Sequence, residues 1–401
     1  MMAFNPLEEK GIPLEKQIRN WKMLVGTPYD KNTVHPYTRA RIILMNGIEV
    51  EASLFLHEFH RMEKNRDVKE KIALTRRIEQ QQQKAVNGLI PGEETILENT
   101  IGYEQLAVDL TAYLAQTCKD PYVKQVFDLG LLEDFDHLYR YANLMESIEG
   151  TKAEKIVRNY TEIVPGRPTI AEHRHPFDSI RKPSDRKKAD PKDLLYILTL
   201  VSGEQQTMNY YMTVGNRQID PVSRGLYTEI GMIEEQHVSQ YGSLLDPTMN
   251  WYEMMVCHDY NECYLYHSFL EQEVDPDVKS LWEIHLDMEL GHLKSAVDLM
   301  KKYTKKDPAE FLPRELPDPI VLQPNIDYVR HILATQVDYT ANGADIVPLD
   351  ELDDSHRYYT YQKMVNGDWI PSEAVIQDHE KRFGGDYRYH VNGRKKAKKT
   401  A

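Results

Sequence analysis

Apolar positions along this chain recur with the period of an α-helix over long stretches. They almost nowhere alternate in the two-residue rhythm of a strand. The pattern predicts helices at Tyr37–Lys64, Asp67–Leu89, Glu93–Cys118 and Pro121–Glu149, and again at Lys192–Val214, Val222–Leu245, Met249–Glu273 and Pro276–Lys302. Turn signals part them: Ile90-Pro91-Gly92, Lys119-Asp120-Pro121, Asp246-Pro247 and Val274-Asp275-Pro276. Connections this short favour antiparallel neighbours.

The two sets of four are copies. Shifting the chain by 155 positions lays Pro36–Met145 on Pro191–Met300 without a gap, Asp120-Pro121 on Asp275-Pro276, and His137-Leu138 on His292-Leu293. Identity is low, but an ungapped register of this length reads as an ancient duplication. The expected class is all-α. Residues 1–149 form a first bundle, 150–190 a linker rich in Pro and basic residues, 191–303 a second bundle, and 304–401 a C-terminal extension. One more helix is expected near Ile326–Tyr339. The rest of the extension reads as an irregular wrap ending in a mobile basic tail, Gly393–Lys399.

Chemistry concentrates in the second copy. Glu204, then Glu234 and His237, then Glu262, then Glu289 and His292 supply one element per helix. Residues three apart share a helix face, so each Glu-x-x-His pair can point inward together. Brought to one depth in a bundle, the set offers four carboxylates and two imidazoles. Four carboxylates balance two divalent ions, and oxygen with imidazole suits iron or manganese, with zinc also possible. A further Glu-x-x-His, Glu172 to His175, lies in the linker and is read as unrelated to metal.

The first copy is a degraded version. Glu49 and Glu79 match Glu204 and Glu234, but Gln82 stands at the His237 position, Ala107 at Glu262 and Asp134 at Glu289. His137 is kept, and Glu104, one turn before Ala107, is a candidate replacement. Glu49, Glu79, Glu104, Asp134 and His137 are therefore the candidate ligands of a weaker site. Tyr211 and Tyr241, each seven residues from a ligand, and His258 and His285, each four before one, are candidates to hydrogen-bond the ligands or a bound oxidant. Asp259 is read as core.

The ordered set resembles the ferritin-like di-iron carboxylate superfamily, and within it rubrerythrin-like proteins. The resemblance covers both copies and neither the linker nor the extension. It implies two tandem ferritin-like four-helix bundles, with Glu204, Glu234, His237, Glu262, Glu289 and His292 holding two iron or manganese ions. Glu234 and Glu289 would bridge them. It further implies an oxidoreductase acting on peroxide or dioxygen. The chain has no Cys-x-x-Cys pair and so no rubredoxin-type iron, which makes a separate electron-donor protein the expected source of reductant. Catalase-like disproportionation would need none. The other readings are metal storage and a non-catalytic helical interaction protein. A homodimer is the assembly considered.

Composition narrows the partners. A formal net charge of −14 argues against nucleic acid. No apolar run approaches the roughly 20 residues of a membrane span. Three cysteines give no disulfide framework, and the polar start shows no secretory signal, so a cytoplasmic protein is expected.

Overall fold

Five of the eight long helices start with proline at the first helical position, directly after an Asp or His whose side chain accepts a backbone N–H of the first turn. Two others begin with full capping boxes, at Thr95 and Asn250. In the computed structural model, which describes residues 4–385 and Arg388, the helices are α1 (Pro36–Met62), α2 (Arg66–Asn87), α3 (Ile96–Thr117), α4 (Pro121–Glu149), α5 (Pro191–Val214), α6 (Pro221–Gly242), α7 (Trp251–Gln272) and α8 (Pro276–Thr304). The expected helices are all present, with ends moved by a few residues. No described helix is long and apolar enough to cross a membrane.

Consecutive helices pair as hairpins, α1–α2, α3–α4, α5–α6 and α7–α8. The pairing of hairpins departs from the tandem expectation. α2 packs on α8 and α4 on α6, so each group of four takes one hairpin from each copy. The fastenings explain the choice. Thr38 and Arg41, on α1, donate to Glu273 in the α7–α8 connection at 2.6 and 2.8 Å. That carboxylate also accepts the Val274 and Asp275 N–H groups, so a buried charge is fully satisfied. Asp193, which falls on Thr38 in the repeat register, accepts the Lys119 and Asp120 N–H groups of the α3–α4 connection. The first helix of each copy is thus tied to the last turn of the other.

Where the groups meet, α1 crosses α5. Gly47 lets the Gln206 side chain approach to where a Cβ would lie 3.1 Å away, and Gln206 bonds to Asn46 and to the Ile43 carbonyl at 2.6 and 2.9 Å. The N-terminal half of α1, the centre of α4 and the centre of α7 are buried all round, as expected of helices covered on every side.

The expected linker is part of the repeat. Gly11-Ile12-Pro13 falls on Gly166-Arg167-Pro168 at the same shift, and the 3₁₀ turn Leu14–Lys16 falls on the 3₁₀ turn Thr169–Ala171. Each segment straps one group. Gly11, at φ 56°, lies where a Cβ would be 2.3 Å from the Gly291 nitrogen, and Gly166 lies where one would be 2.9 Å from the Asp136 Cβ. Gly291 and Asp136 are themselves repeat partners.

The extension is more regular than a wrap. α9 (Ile326–Gln336) is shorter than expected and leads into a two-stranded antiparallel hairpin, β1 (Tyr339–Asn342) and β2 (Asp345–Pro348), turning at Gly343 with φ 59°. α10 (Arg357–Asn366) and α11 (Pro371–Phe383) follow, and α11 lies over α4 and α6. The tail Gly393–Lys399 lies outside the described residues.

The copies share a backbone detail at their ends. Gly150 and its repeat partner Lys305 both close their helices in the left-handed region, at φ 63° and 62°. That conformation costs a non-glycine residue about 1–2 kcal/mol, partly offset by the greater freedom glycine has when unfolded. Lys305→Gly is expected to stabilise the fold by about 0.5–1 kcal/mol. Chemical denaturation of the two proteins measures it, and equal or lower stability contradicts the expectation.

Candidate metal centres

The hairpin exchange divides the six second-copy residues. Glu204, Glu234 and His237 gather with Asp134 of the first copy, and Glu262, Glu289 and His292 gather with Glu79. The expectation that all six converge on one point is corrected: α5–α6 and α7–α8 belong to different groups. Two buried clusters result, each built from both copies.

Cluster I lies among α3, α4, α5 and α6. Its ligand atoms form two sets that share one residue: Asp134, Glu204, Glu234 and His237 in the first, and Glu104, His137 and Glu234 in the second. In each set the atoms lie within 4.8 Å of one another. His137 Nδ1 and His237 Nδ1 face the two oxygens of Glu234 at 3.1 and 3.2 Å. Glu104 Oε2, both Asp134 oxygens and Glu234 Oε2 are buried without a hydrogen-bond partner. Glu104, the candidate replacement one turn before Ala107, is buried within the cluster.

Each cluster I histidine is held from behind by a carboxylate. His137 Nε2 meets Glu172 at 3.1 Å, and His237 Nε2 meets Glu133 at 2.8 Å. Such partners orient an imidazole and raise its basicity. Glu133 is held in turn by Arg174 at 2.6 Å and Arg167 at 3.0 Å. Glu172, Arg167 and Arg174 all come from the strap. His175, the other half of the linker Glu-x-x-His, caps a 3₁₀ turn.

Cluster II lies among α1, α2, α7 and α8, where Glu79, Glu262, Glu289 and His292 form one set. His292 Nδ1 meets Glu79 at 2.8 Å and Glu289 at 3.0 Å. Both oxygens of Glu79 and of Glu262, and Glu49 Oε2, have no hydrogen-bond partner. His292 Nε2 is held by Gln17 at 2.7 Å, which falls on Glu172 in the repeat register. Here the partner is a neutral amide.

The candidate neighbours separate too. The Tyr211 hydroxyl donates to Glu104. The buried Tyr241 hydroxyl has no partner and sits over Gly130, where a Cβ would clash with it. His285 joins Tyr266 Nδ1-to-hydroxyl at 2.9 Å, and Tyr266 donates to Glu49, so His285 serves cluster II. His258 serves neither: it stacks on Phe55 and pairs with Glu51 at 2.9 Å. On that turn of α7 it is Asp259 that feels Glu79, Glu289 and His292, so it is not plain core.

Electrostatics agree that these groups are short of counter-charge. Burial, then the neighbouring Glu234 charge, pushes Glu204 up to about 8, and burial first also takes Glu172 to about 8. Burial raises Glu104, Asp134, Glu49 and Glu262 as well. Burial works against Glu234 too, but the facing imidazoles of His137 and His237 hold it below the usual range. Burial opposes charge on His137, His237 and His292, yet the facing carboxylates raise all three. Oxygen-rich sets with one imidazole each and unpartnered buried oxygens could hold metal ions.

Comparison with known proteins returns no match: no family model, no curated protein and no solved structure matches the chain.

Two outcomes are expected. An acid whose folded-state pKa is raised contributes stability below its unfolded value and loses it as pH climbs through the folded one. Glu204 and Glu172 move from 4.5 to about 8, so the melting temperature of chelator-treated protein should fall between about pH 5 and pH 8.5. Divalent metal should reverse the fall, because binding needs deprotonated ligands. A metal-free melting temperature that rises across this window contradicts it. Separately, Glu172→Gln should weaken metal binding at cluster I by roughly 10- to 100-fold, read by competition with a chromophoric chelator.

Proposed function

We propose that this chain is a di-metal oxidoreductase, ferritin-like and nearest in kind to rubrerythrin-like proteins. Cluster I is its reaction centre, and its substrate is peroxide or dioxygen. The observation that carries the reading is the sharing of Glu234: two sets of ligand atoms, each with its own histidine, meet at one buried carboxylate. Glu104, Asp134, Glu204 and Glu234 bring four negative charges, matched by two divalent ions, and His137 and His237 cap the two positions.

A bound pair of iron or manganese ions would supply the two electrons that, with two protons, convert hydrogen peroxide to two waters. The chain's own groups keep the site dry and handle protons. Glu172 and Glu133 fix both imidazoles with Nδ1 inward. Tyr241 and Tyr141 keep unpartnered hydroxyls in the buried site region. Their charge neighbours are Asp134 and Glu204 for Tyr241, and Glu104 and Glu234 for Tyr141. Each can donate a hydrogen bond to a small oxidant. Tyr211 fixes Glu104. The electrons come from a separate donor protein. Disproportionation, with peroxide serving as both oxidant and reductant, is the form that needs none.

The test is peroxide consumption by protein loaded anaerobically with iron(II) or manganese(II). Turnover should occur with one metal, fall to the rate of free metal in Glu234→Ala, and persist in His258→Ala, which changes a histidine outside both clusters. Oxygen release without added reductant identifies disproportionation, and reductant-dependent turnover identifies a peroxidase. Equal turnover in Glu234→Ala would sink the reading.

A further inference from the structure

The two clusters are related by the repeat, and the half that lost its imidazole is what sets cluster II apart from cluster I. The set Glu104, His137 and Glu234 has its counterpart in Asp259, His292 and Glu79, with Glu262 added where the first copy has Ala107. The set Asp134, Glu204, Glu234 and His237 maps onto Glu289, Glu49, Glu79 and Gln82. Here an amide replaces the imidazole. Gln82 Nε2 donates to Glu289 at 2.5 Å and to Glu49 at 3.4 Å. It thus presents N–H groups to Glu289, whose cluster I counterpart Asp134 has both oxygens without a hydrogen-bond partner.

The surroundings changed with it. Glu133, which holds His237 from behind and anchors Arg174, maps onto Met288. Arg19, the counterpart of Arg174, therefore has no carboxylate at that place. Its backbone sits as Arg174 does: the Arg19 N–H donates to Gln81 at 2.8 Å, and the Arg174 N–H to the counterpart Gln236 at 2.9 Å. Its guanidinium instead reaches His285 Nε2 at 3.2 Å and feels the charges of Glu49 and Glu289. Glu49 is further occupied by the Tyr266 hydroxyl. Imidazole, supporting carboxylate and anchored arginine have all gone, and a fixed positive charge lies beside that half.

The other half keeps every requirement of a cation site. Glu79, Glu262, Glu289 and His292 are at most 2% exposed. Both oxygens of Glu262 and of Glu79 have no hydrogen-bond partner, Glu79 facing the His292 Nδ1 at 2.8 Å, and Gln17 holds the outer nitrogen of His292. We infer that cluster II is a separate, mononuclear site that binds one divalent cation through Glu79, Glu262, Glu289 and His292, the place of a second ion being taken by the Gln82 amide and the Arg19 guanidinium. One ion and one guanidinium bring three positive charges against the carboxyl groups of Glu49, Glu79, Glu262, Glu289 and the neighbouring Asp259, so the surroundings favour the cation. The full chain then holds three ions, two coupled and one isolated.

The probe is manganese(II), added anaerobically to chelator-treated full-length protein and counted after desalting. Paramagnetic resonance distinguishes an isolated manganese(II), with its six-line signal, from a coupled pair. Three ions per chain, with a six-line signal worth one, are expected. His292→Ala should leave two ions and remove that signal, while Glu234→Ala should leave it. Gln82→His combined with Met288→Glu should raise the count to four and convert the isolated signal to a coupled one. Four ions in the wild type would overturn the single-ion assignment. Two ions, unaffected by His292→Ala, would overturn binding at cluster II and leave cluster I intact. No ions at all would sink the metal reading of both clusters.

Discussion

Uncompensated carboxylate charge in a dry interior is the constraint around which this fold is arranged. Removing an ionised group from water is costly unless opposite charge or hydrogen bonds meet it. The structure meets most of its buried acids in this way. Glu273 is met by Arg41, Thr38 and two backbone N–H groups, and Glu133 by Arg174, Arg167 and His237. Most of the exceptions among the described residues lie in the two clusters, where oxygens of Glu79, Glu104, Asp134, Glu234 and Glu262 have no hydrogen-bond partner. The protein satisfies the acids that hold helices together and leaves open those that line the two clusters.

The same economy explains the straps. A histidine with one nitrogen turned to a metal needs its other nitrogen held, and no helix of the group is placed to hold all of them. Glu172 and Gln17 are carried to the histidines by equivalent segments running over the outside of each group. The β-hairpin then braces the cluster I strap, with Arg181 donating to the Gly343 carbonyl and the Gly343 N–H donating to Asp178. The extension therefore supports the site from a distance.

Much of this was legible in the sequence. Helical period, Asp-Pro starts and the 155-residue register locate all eight long helices within a few residues, and each residue named as a ligand candidate lies in one of the two clusters or, for Glu49, against one. Which hairpins pair was not legible. Periodicity shows which face of a helix is buried but not whose face it meets, and both copies offer complementary faces. The straps escaped for a different reason: their signal is short. Gly11-Ile12-Pro13 against Gly166-Arg167-Pro168, and Gln17, Arg19 against Glu172, Arg174, are visible once the register is carried upstream of Pro36. His258 misled because residues four and three before a ligand lie about 40° and 60° to opposite sides of it, about 100° from each other, so spacing from Glu262 does not choose between them, and it was Asp259 that faced inward.

The exchange of hairpins has a consequence for how the chain is made. Cluster I is complete once α6 has formed, whereas cluster II joins Gln17 to His292, 275 residues later. During synthesis α1–α2 must wait for α7–α8 with Glu49 and Glu79 unmatched, while α3–α4, its neighbour in the chain, offers a rival docking face. Local closure is entropically the easier, so the nascent chain faces a choice between a near partner and the correct distant one. The strap and the Thr38–Glu273–Arg41 fastening are contacts that only α7–α8 can complete.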